Sequence, residues 1–175
     1  MNLFVVYVGG TTTTSLIEVH DIHFAIGEKI EDTYDQLRKQ WWGTPESLHL
    51  DAWGMLKSVD GYDVILKNEP ANHSDDKLYF VNLGGYDSQQ FTELHKNIFV
   101  VAKNEIEAKK KAVATVSHWN VPHKDNLYEI DVCVNVNTLL REIGLLIHLQ
   151  ATDRVMPFNF QCKYVPIGKI KKQIS

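Results

Sequence analysis

The chain has 175 residues, 44% of them apolar and 23% charged, which is enough to bury an ordinary core in one domain or in two very small ones. Its net charge of -4 argues against a nucleic-acid or anionic-membrane partner, because such partners usually require a strongly basic face. There is no basic leader and no apolar stretch of about 18 residues, so we expect a cytoplasmic protein without a membrane span. Cys133 and Cys162 have no CxxC spacing, and we expect mostly buried, free thiols.

The first predicted elements form a strand, a second strand, a helix and two more strands. The apolar run LFVVYV predicts a buried strand that ends at Gly9-Gly10, and EVHDIHFAI predicts the next strand. A helix follows, because its apolar residues recur at helical spacing: Ile30, Tyr34, Leu37 and Trp41. LHLD predicts a third strand, and Asp60-Gly61 predicts a hairpin turn into YDVIL.

The same order of elements returns further along the chain. LYFVNL ends at Gly84-Gly85 and ELHKNIFVV follows it. The next helix has Asn104 and Glu107 spaced as an N-cap and its N3 acid, and its predicted apolar face contains Ile106, Val113 and Val116. LYEID predicts a strand. LLIHLQ fits a helix by its own pattern, but its alignment with YDVILK predicts a strand, which we adopt. FNFQCKYV alternates apolar and polar residues and predicts an added edge strand.

An ungapped comparison supports an internal duplication. Residues 3–26 match residues 78–101 at seven of 24 positions, several times the chance expectation, and these pairs are Leu3/Leu78, Val6/Val81, Gly9/Gly84, Gly10/Gly85, Glu18/Glu93, His20/His95 and Phe24/Phe99. We therefore predict half-repeats at 1–70 and 78–150, a linker at 71–77, and a C-terminal strand and tail at 151–175. The predicted fold is α+β, made of two tandem β-β-α-β-β half-domains with internal pseudo-twofold symmetry and a mostly antiparallel sheet.

These residues carry a family resemblance. An apolar strand with Gly-Gly, then Glu-x-His and Phe, followed by IEDTYDQLRKQWWG, LHLDAW and VDGY, resembles the bacterial domain-of-unknown-function family 1543, which occurs in one or two copies per chain. The resemblance covers both halves. It implies no activity, and it therefore assigns no catalytic residue.

The duplicated Glu-x-His pairs are the sharpest chemical candidates. Residues i and i+2 of a strand share a face, so the carboxylate and imidazole of Glu18 and His20, and of Glu93 and His95, can point to one spot. Asp51 and Asp131, at matched positions on a third strand, would complete a cluster in each half, and His49 adds a nitrogen in the first half. Two oxygen donors and one nitrogen donor suit Mn, Fe or Zn.

A structural interpretation competes with this one, and we rank it first. In it, Glu18 and Glu93 accept hydrogen bonds from the backbone of the Gly-Gly turn, and His20 and His95 are satisfied buried polar groups. The glycines themselves, Gly9, Gly10, Gly84 and Gly85, fit a turn that needs positive φ better than a backbone cradle for an anion.

Three functions fit this sequence, in ranked order. The first is a non-enzymatic module that binds a small ligand or a protein partner, with homodimerisation as an option. The second is a small metal-assisted or acid/base enzyme that uses the Glu-x-His pairs, and the third is a purely structural role. The sequence names no cofactor.

Overall fold

The computed structural model describes residues 1–69, 75–86, 89–116, 129–140, 144–154 and 156–168. The chain divides into two compact units, one containing Met1–Ser58 with Met156–Ser175 and the other containing Val59–Val155. Residues 71–74 of the predicted linker lie outside the described residues. Among the residues that are described, no helix has the length and apolar character that crossing a membrane requires.

The first unit contains an antiparallel sheet of four strands. In chain order these are β1 (Asn2–Gly10), β2 (Val19–Gly27), β3 (His49–Met55) and β10 (Phe160–Pro166), and their order in the sheet is β10-β3-β1-β2. Strand β10 pairs with β3 at the edge, which confirms the edge strand predicted from FNFQCKYV. The two-residue strand β4 (Ser58–Val59) lies where the chain passes from one unit to the next.

A short helical segment covers one face of this sheet. It consists of a 3-10 turn at Ile30–Thr33 and helix α1 (Tyr34–Gln40), and a second 3-10 turn follows at Pro45–Ser47. The predicted helical stripe is confirmed, because Ile30, Leu37 and Trp41 are buried in one cluster with apolar side chains of β1 and β3, and Tyr34 packs against it.

The described residues of the second unit form strands and helices that continue the chain order after β4. These elements are β5 (Tyr62–Lys67), β6 (Lys77–Tyr86), β7 (Glu93–Ala102), α2 (Glu105–Val116), β8 (Glu129–Asn135), α3 (Val136–Leu139) and β9 (Leu146–Ala151). Strand β6 pairs with β7 and β8, and β5 pairs with β9, all antiparallel. The fold is therefore α+β with a mostly antiparallel sheet content, as the sequence predicts.

Two local predictions in this unit are confirmed. Asp60 and Gly61 have φ of 50° and 79°, the left-handed conformations that a tight hairpin between β4 and β5 needs. LLIHLQ forms strand β9 and not a helix. In its ladder with β5, Tyr62 lies opposite Ala151 and Lys67 lies opposite Leu146.

Helix α2 corrects one prediction and confirms another. The Asn104 side chain accepts a hydrogen bond from the Glu107 amide at 3.0 Å, which confirms the N-cap. The buried face, however, consists of Ala108, Ala112 and Val116, while Ile106 and Val113 are exposed. The predicted apolar face was wrong for those two residues, because small alanines allow the helix to lie close to the sheet.

The cysteine prediction is confirmed in one respect and wrong in another. Both thiols are free, but Cys162 is exposed and Cys133 is half-buried. Cys162 lies on the edge strand β10, most of whose residues are exposed.

The strand registers of the two units have a common numerical offset. Gly9 lies opposite His20 in the β1–β2 ladder, and Gly84 lies opposite His95 in the β6–β7 ladder, so both members of the pair differ by 75 in residue number. Each unit also has an irregularity at the corresponding place on its third strand, between Tyr7 and Val8 against β3 and between Asn82 and Leu83 against β8.

Candidate functional site

The glycine end of β1 is where polar side chains of the first unit converge. His20 and His49 lie on the two strands that flank Gly9, each directly opposite that glycine. Tyr7 pairs with Ala52 and Val8 pairs with Leu50, so Asp51 is an extra, unpaired residue in β3. A bulge of this kind re-aims a side chain, and here it allows Asp51 and His49 to reach the same spot.

The resulting cluster contains all four candidate side chains of the first half. The Oδ2 atom of Asp51 is 3.3 Å from His20 Nε2 and 3.5 Å from His49 Nε2, and Glu18 Oε2 is 3.8 Å from His49 Nε2. One donor atom each from Glu18, His20 and His49 lies within 4.8 Å of the others. These four residues are the ones that the sequence predicts for the first half, and the structure brings them together.

His49 is the buried member of the cluster, with a side chain only 2% exposed. Its Nδ1 lies 2.9 Å from the Ser47 carbonyl oxygen, which can only accept, so Nδ1 carries a proton and donates it. In the neutral ring Nε2 is then a bare lone pair. Both this Nε2 and Asp51 Oδ2 are buried without a hydrogen-bond partner. Two electron-rich atoms therefore face each other away from water, an arrangement that a cation between them would stabilise.

The glycines provide room and do not form a turn. Gly9, Gly10, Gly84 and Gly85 lie inside strands β1 and β6, and the described glycines with positive φ are Gly61 and Gly144. The predicted positive-φ turn was therefore wrong. A Cβ at Gly9 would lie 2.6 Å from His49 Nε2 and 2.7 Å from Asp51 Oδ2, distances that real Cβ atoms do not reach. The absence of a side chain at Gly9 therefore leaves the space that the cluster occupies.

Two tyrosines line the cluster. The Tyr7 ring stacks on the His20 ring with centroids 5.1 Å apart, and the Tyr164 ring lies against the His49 ring at 4.5 Å. Burial, and then the negative charge of Asp51, raise the pKa of the Tyr7 hydroxyl. Neither tyrosine was predicted as part of a site. The signal for Tyr7 was its position two residues before Gly9 on the same face of β1.

A second cluster occupies the corresponding strands of the second unit. Asp131 is the unpaired residue of β8, and its Oδ2 is 3.3 Å from His95 Nδ1, while Glu93 Oε2 is 3.8 Å from His95 Nε2. The His95 side chain is half exposed. Its Nδ1 also lies 3.2 Å from the side-chain oxygen of Asn82. A Cβ at Gly84 would lie 2.6 Å from Glu93 Oε1 and 2.7 Å from Asp131 Oδ2.

The structural interpretation of the Glu-x-His pairs required buried residues. Glu18, His20, Glu93 and His95 are instead all exposed. That part of the interpretation was wrong, because these strands begin at the end of a loop, where one side of the sheet faces water. The buried histidine of the first cluster is His49.

His23 is a further buried histidine with a ring nitrogen that lacks a partner. Its Nδ1 is 2.8 Å from Gln40 Oε1, while the buried Nε2 makes no hydrogen bond and lies 3.6 Å from Asp21 Oδ2. His23 and Asp21 together supply two donor atoms, compared with four in the first cluster.

The chain is similar to a known sequence family and to a protein of known structure. The family described as Domain of Unknown Function (DUF1543) matches residues 15–66, a stretch that contains Glu18, His20, His49 and Asp51. The chain is 32% identical to protein Il1583 from Idiomarina loihiensis, whose crystal structure it matches with a TM-score of 0.74 over 95% of this chain and 97% of that one. No curated protein matches the chain. The chain belongs to the DUF1543 family, and its similarity to protein Il1583 extends over nearly the whole of both chains.

Proposed function

We propose that this protein is a binding module for a divalent transition-metal cation, held by His49 and His20 together with the carboxylates of Asp51 and Glu18. One observation carries the proposal, namely the bare Nε2 of His49 and the Oδ2 of Asp51, which face each other in a buried place without partners. Leaving two such groups unpaired costs free energy, and a shared cation removes that cost.

The distances favour a metal ion over a proton. A proton shared by an imidazolium and a carboxylate would draw nitrogen and oxygen to about 2.7–2.9 Å. The separations here are 3.3, 3.5 and 3.8 Å. Donors bound about 2.0–2.2 Å from a tetrahedral ion lie roughly 3.3–3.6 Å apart, a range that includes both distances from Asp51 Oδ2 to the histidine nitrogens.

The donor types indicate which cations fit. Two imidazole nitrogens with carboxylate oxygens suit Zn²⁺, Mn²⁺, Fe²⁺ and Co²⁺, whereas Ca²⁺ and Mg²⁺ prefer sites built from oxygen alone. The Ser47 carbonyl that accepts the His49 Nδ1 proton is the kind of outer contact that metal-bound histidines usually have.

A metal-assisted enzyme is the second candidate, and the exposure of the cluster favours it. The Glu18 side chain is 53% exposed and that of His20 is 34% exposed, so one side of the site is open to water and small molecules. Catalytic zinc sites keep such an open position, whereas structural sites are closed. A binding role is the primary proposal, because the two unpaired buried atoms call for a bound cation and not for a reaction.

We also propose that the half-repeats at 1–70 and 78–150 arose by duplication. The shared register offset of 75 and the matched bulges at Asp51 and Asp131 support it. The pseudo-twofold symmetry that a duplication predicts stays a prediction, and a superposition of the halves in a crystal structure would test it.

Metal titration of the purified chain tests the binding proposal. After treatment with a chelator, we expect one tight equivalent of Zn²⁺ by isothermal titration calorimetry, and a melting temperature that rises with Zn²⁺ and returns with EDTA. At a hundredfold excess over Kd, the gain in stability should be about 2.7 kcal/mol. Mg²⁺ at the same concentration is the control and should have no effect. An absence of Zn²⁺ binding together with an unchanged melting temperature would refute the proposal.

A further inference from the structure

We infer that Ser47 and Gly10 form a latch that orients His49 for cation binding, an inference that rests on the proposed metal site. Ser47 offers no donor to the cluster itself. Its backbone carbonyl accepts the Nδ1 proton of His49, and that bond decides that the bare nitrogen is Nε2. Whatever fixes the Ser47 carbonyl therefore fixes both the tautomer and the direction of the ring.

The Ser47 side chain holds this carbonyl in place through two hydrogen bonds. Its Oγ accepts from the Thr11 amide at 2.9 Å and donates to the Thr44 carbonyl at 2.7 Å. Thr11 continues directly from β1, and its own carbonyl accepts from the Thr44 amide at 2.7 Å. The hydroxyl thus ties the 3-10 turn Pro45–Ser47 to the end of the strand that carries Gly9.

Gly10 provides the space for this tie. A Cβ at position 10 would lie 2.7 Å from Ser47 Oγ and 2.7 Å from Cζ2 of Trp41, so any side chain there would push the hydroxyl away. Trp41 cannot give way easily, because it is buried in the core and its Nε1 donates to the Thr44 carbonyl at 3.1 Å. The two glycines therefore have separate tasks. Gly9 leaves space for the metal-ligating atoms, and Gly10 leaves space for the Ser47 hydroxyl, which fixes the orientation of the His49 ring.

Three variants test the latch. Ser47→Ala removes the hydroxyl, and Gly10→Ala keeps it but occupies its space. Ser15→Ala is the matched control, because Ser15 Oγ also accepts a backbone hydrogen bond at 2.9 Å, from the Thr12 amide, in the loop that precedes Glu18. Ser47→Thr retains a hydroxyl and should rescue what Ser47→Ala loses.

The readouts are Co²⁺ titration, followed by the visible absorption of the bound ion, and long-range proton–nitrogen NMR of the His49 ring. For Ser47→Ala and Gly10→Ala we expect Kd for Co²⁺ to rise roughly tenfold or more and the absorption bands to shift. Without metal, His49 should be the Nδ1–H tautomer in the wild type and a mixture in these two variants. Ser15→Ala and Ser47→Thr should resemble the wild type in every measurement.

The outcomes separate the latch from the metal proposal. If wild type binds Co²⁺ and both Ser47→Ala and Gly10→Ala keep its affinity, its spectrum and the Nδ1–H tautomer, the latch is refuted and the metal site stands. If wild type binds no Co²⁺, the metal proposal fails, and the latch fails with it as a device for binding. A weakened affinity in Ser15→Ala equal to that in Ser47→Ala would also overturn the latch, since any loop hydroxyl would then suffice.

Discussion

The clusters of the two units share Glu-x-His and a bulged Asp, but the third-strand residue opposite the glycine is His49 in the first unit and Glu129 in the second. In the first unit, His49 brings a buried nitrogen that has no partner, and Asp51 brings a buried oxygen that has none. In the second, the polar atoms surround a half-exposed His95, whose Nδ1 lies 3.2 Å from the side-chain oxygen of Asn82. On our proposal a cation would stabilise the first cluster, whereas water and the Asn82 side chain can satisfy His95 in the second.

This difference shows that Glu-x-His and a bulged Asp do not by themselves define a metal site. Glu-x-His with a bulged Asp occurs in both units. Burial and the outer contact of the histidine separate them, because a bare lone pair is costly only where water is excluded. We therefore expect one functional cation site per chain, in the first unit.

The largest expected effect comes from the two histidines that distinguish the clusters. His49→Ala should weaken Zn²⁺ binding on the order of a hundredfold, about 2.8 kcal/mol, because it removes the buried donor. His95→Ala should leave the same binding unchanged. Calorimetric titration of both variants measures the contrast. Equal losses of Zn²⁺ affinity in the two variants would contradict the proposed difference between the clusters.

Replacing Gly9 or Gly84 with alanine should give the next largest contrast, in the free energy of unfolding. In Gly9→Ala the new Cβ meets the buried His49 ring, which has nowhere to move, and such overpacking costs about 1–3 kcal/mol. In Gly84→Ala the nearest atoms are carboxylate oxygens of Glu93 and Asp131 on partly exposed side chains that can rotate away, so we expect a change within roughly 0.5 kcal/mol.

Urea denaturation of the metal-free variants measures both free energies of unfolding. Gly9→Ala should in addition lose Zn²⁺ binding. A Gly84→Ala variant that is as unstable as Gly9→Ala would show that the second cluster is as tightly packed as the first.

The smallest expected contrast concerns the two thiols, one in each unit. Burial first, and then the nearby Glu105 carboxylate, raise the pKa of Cys133. A raised pKa means a smaller thiolate fraction at any pH below it, and therefore slower attack on a disulfide reagent. Cys162 is exposed on β10, so it should react faster, on the order of tenfold. The reaction with Ellman's reagent at pH 8, followed in Cys133→Ser and Cys162→Ser, assigns each rate. Similar rates would contradict the burial difference.

Much of the fold and of the cluster membership could be predicted from periodicity and duplication. Strand alternation placed Glu18 with His20, and alignment of the halves overruled a helical pattern at LLIHLQ, which forms β9. Helical spacing identified the buried face of α1, but it failed for Ile106 and Val113 in α2, where alanines face the sheet. Helical spacing identifies the face with the large apolar residues, but it does not predict how closely a helix packs against the sheet.

The parts of the site that could not be predicted depend on atoms that meet only after folding. The bulge that re-aims Asp51 has no sequence signal of its own. Gly9 was assigned to a turn, because the atoms that need its empty space belong to strands 11 and 40 residues away. The burial of His49 and its hydrogen bond to Ser47 depend on the packing of a turn against the end of β1. The pattern LHLD alone does not predict either of them.

The pairing of β10 with β3 also has a consequence for the order in which the protein is made. Strand β10 belongs to the first unit, yet the whole of Val59–Val155 is translated before it. While the ribosome is still producing the second unit, β3 has an open edge, and His49 lacks the Tyr164 ring that later lies against it. Open strand edges attract other chains. We therefore expect nascent chains that stop before residue 160 to aggregate, and the proposed cation site to form fully only after β10 has left the ribosome.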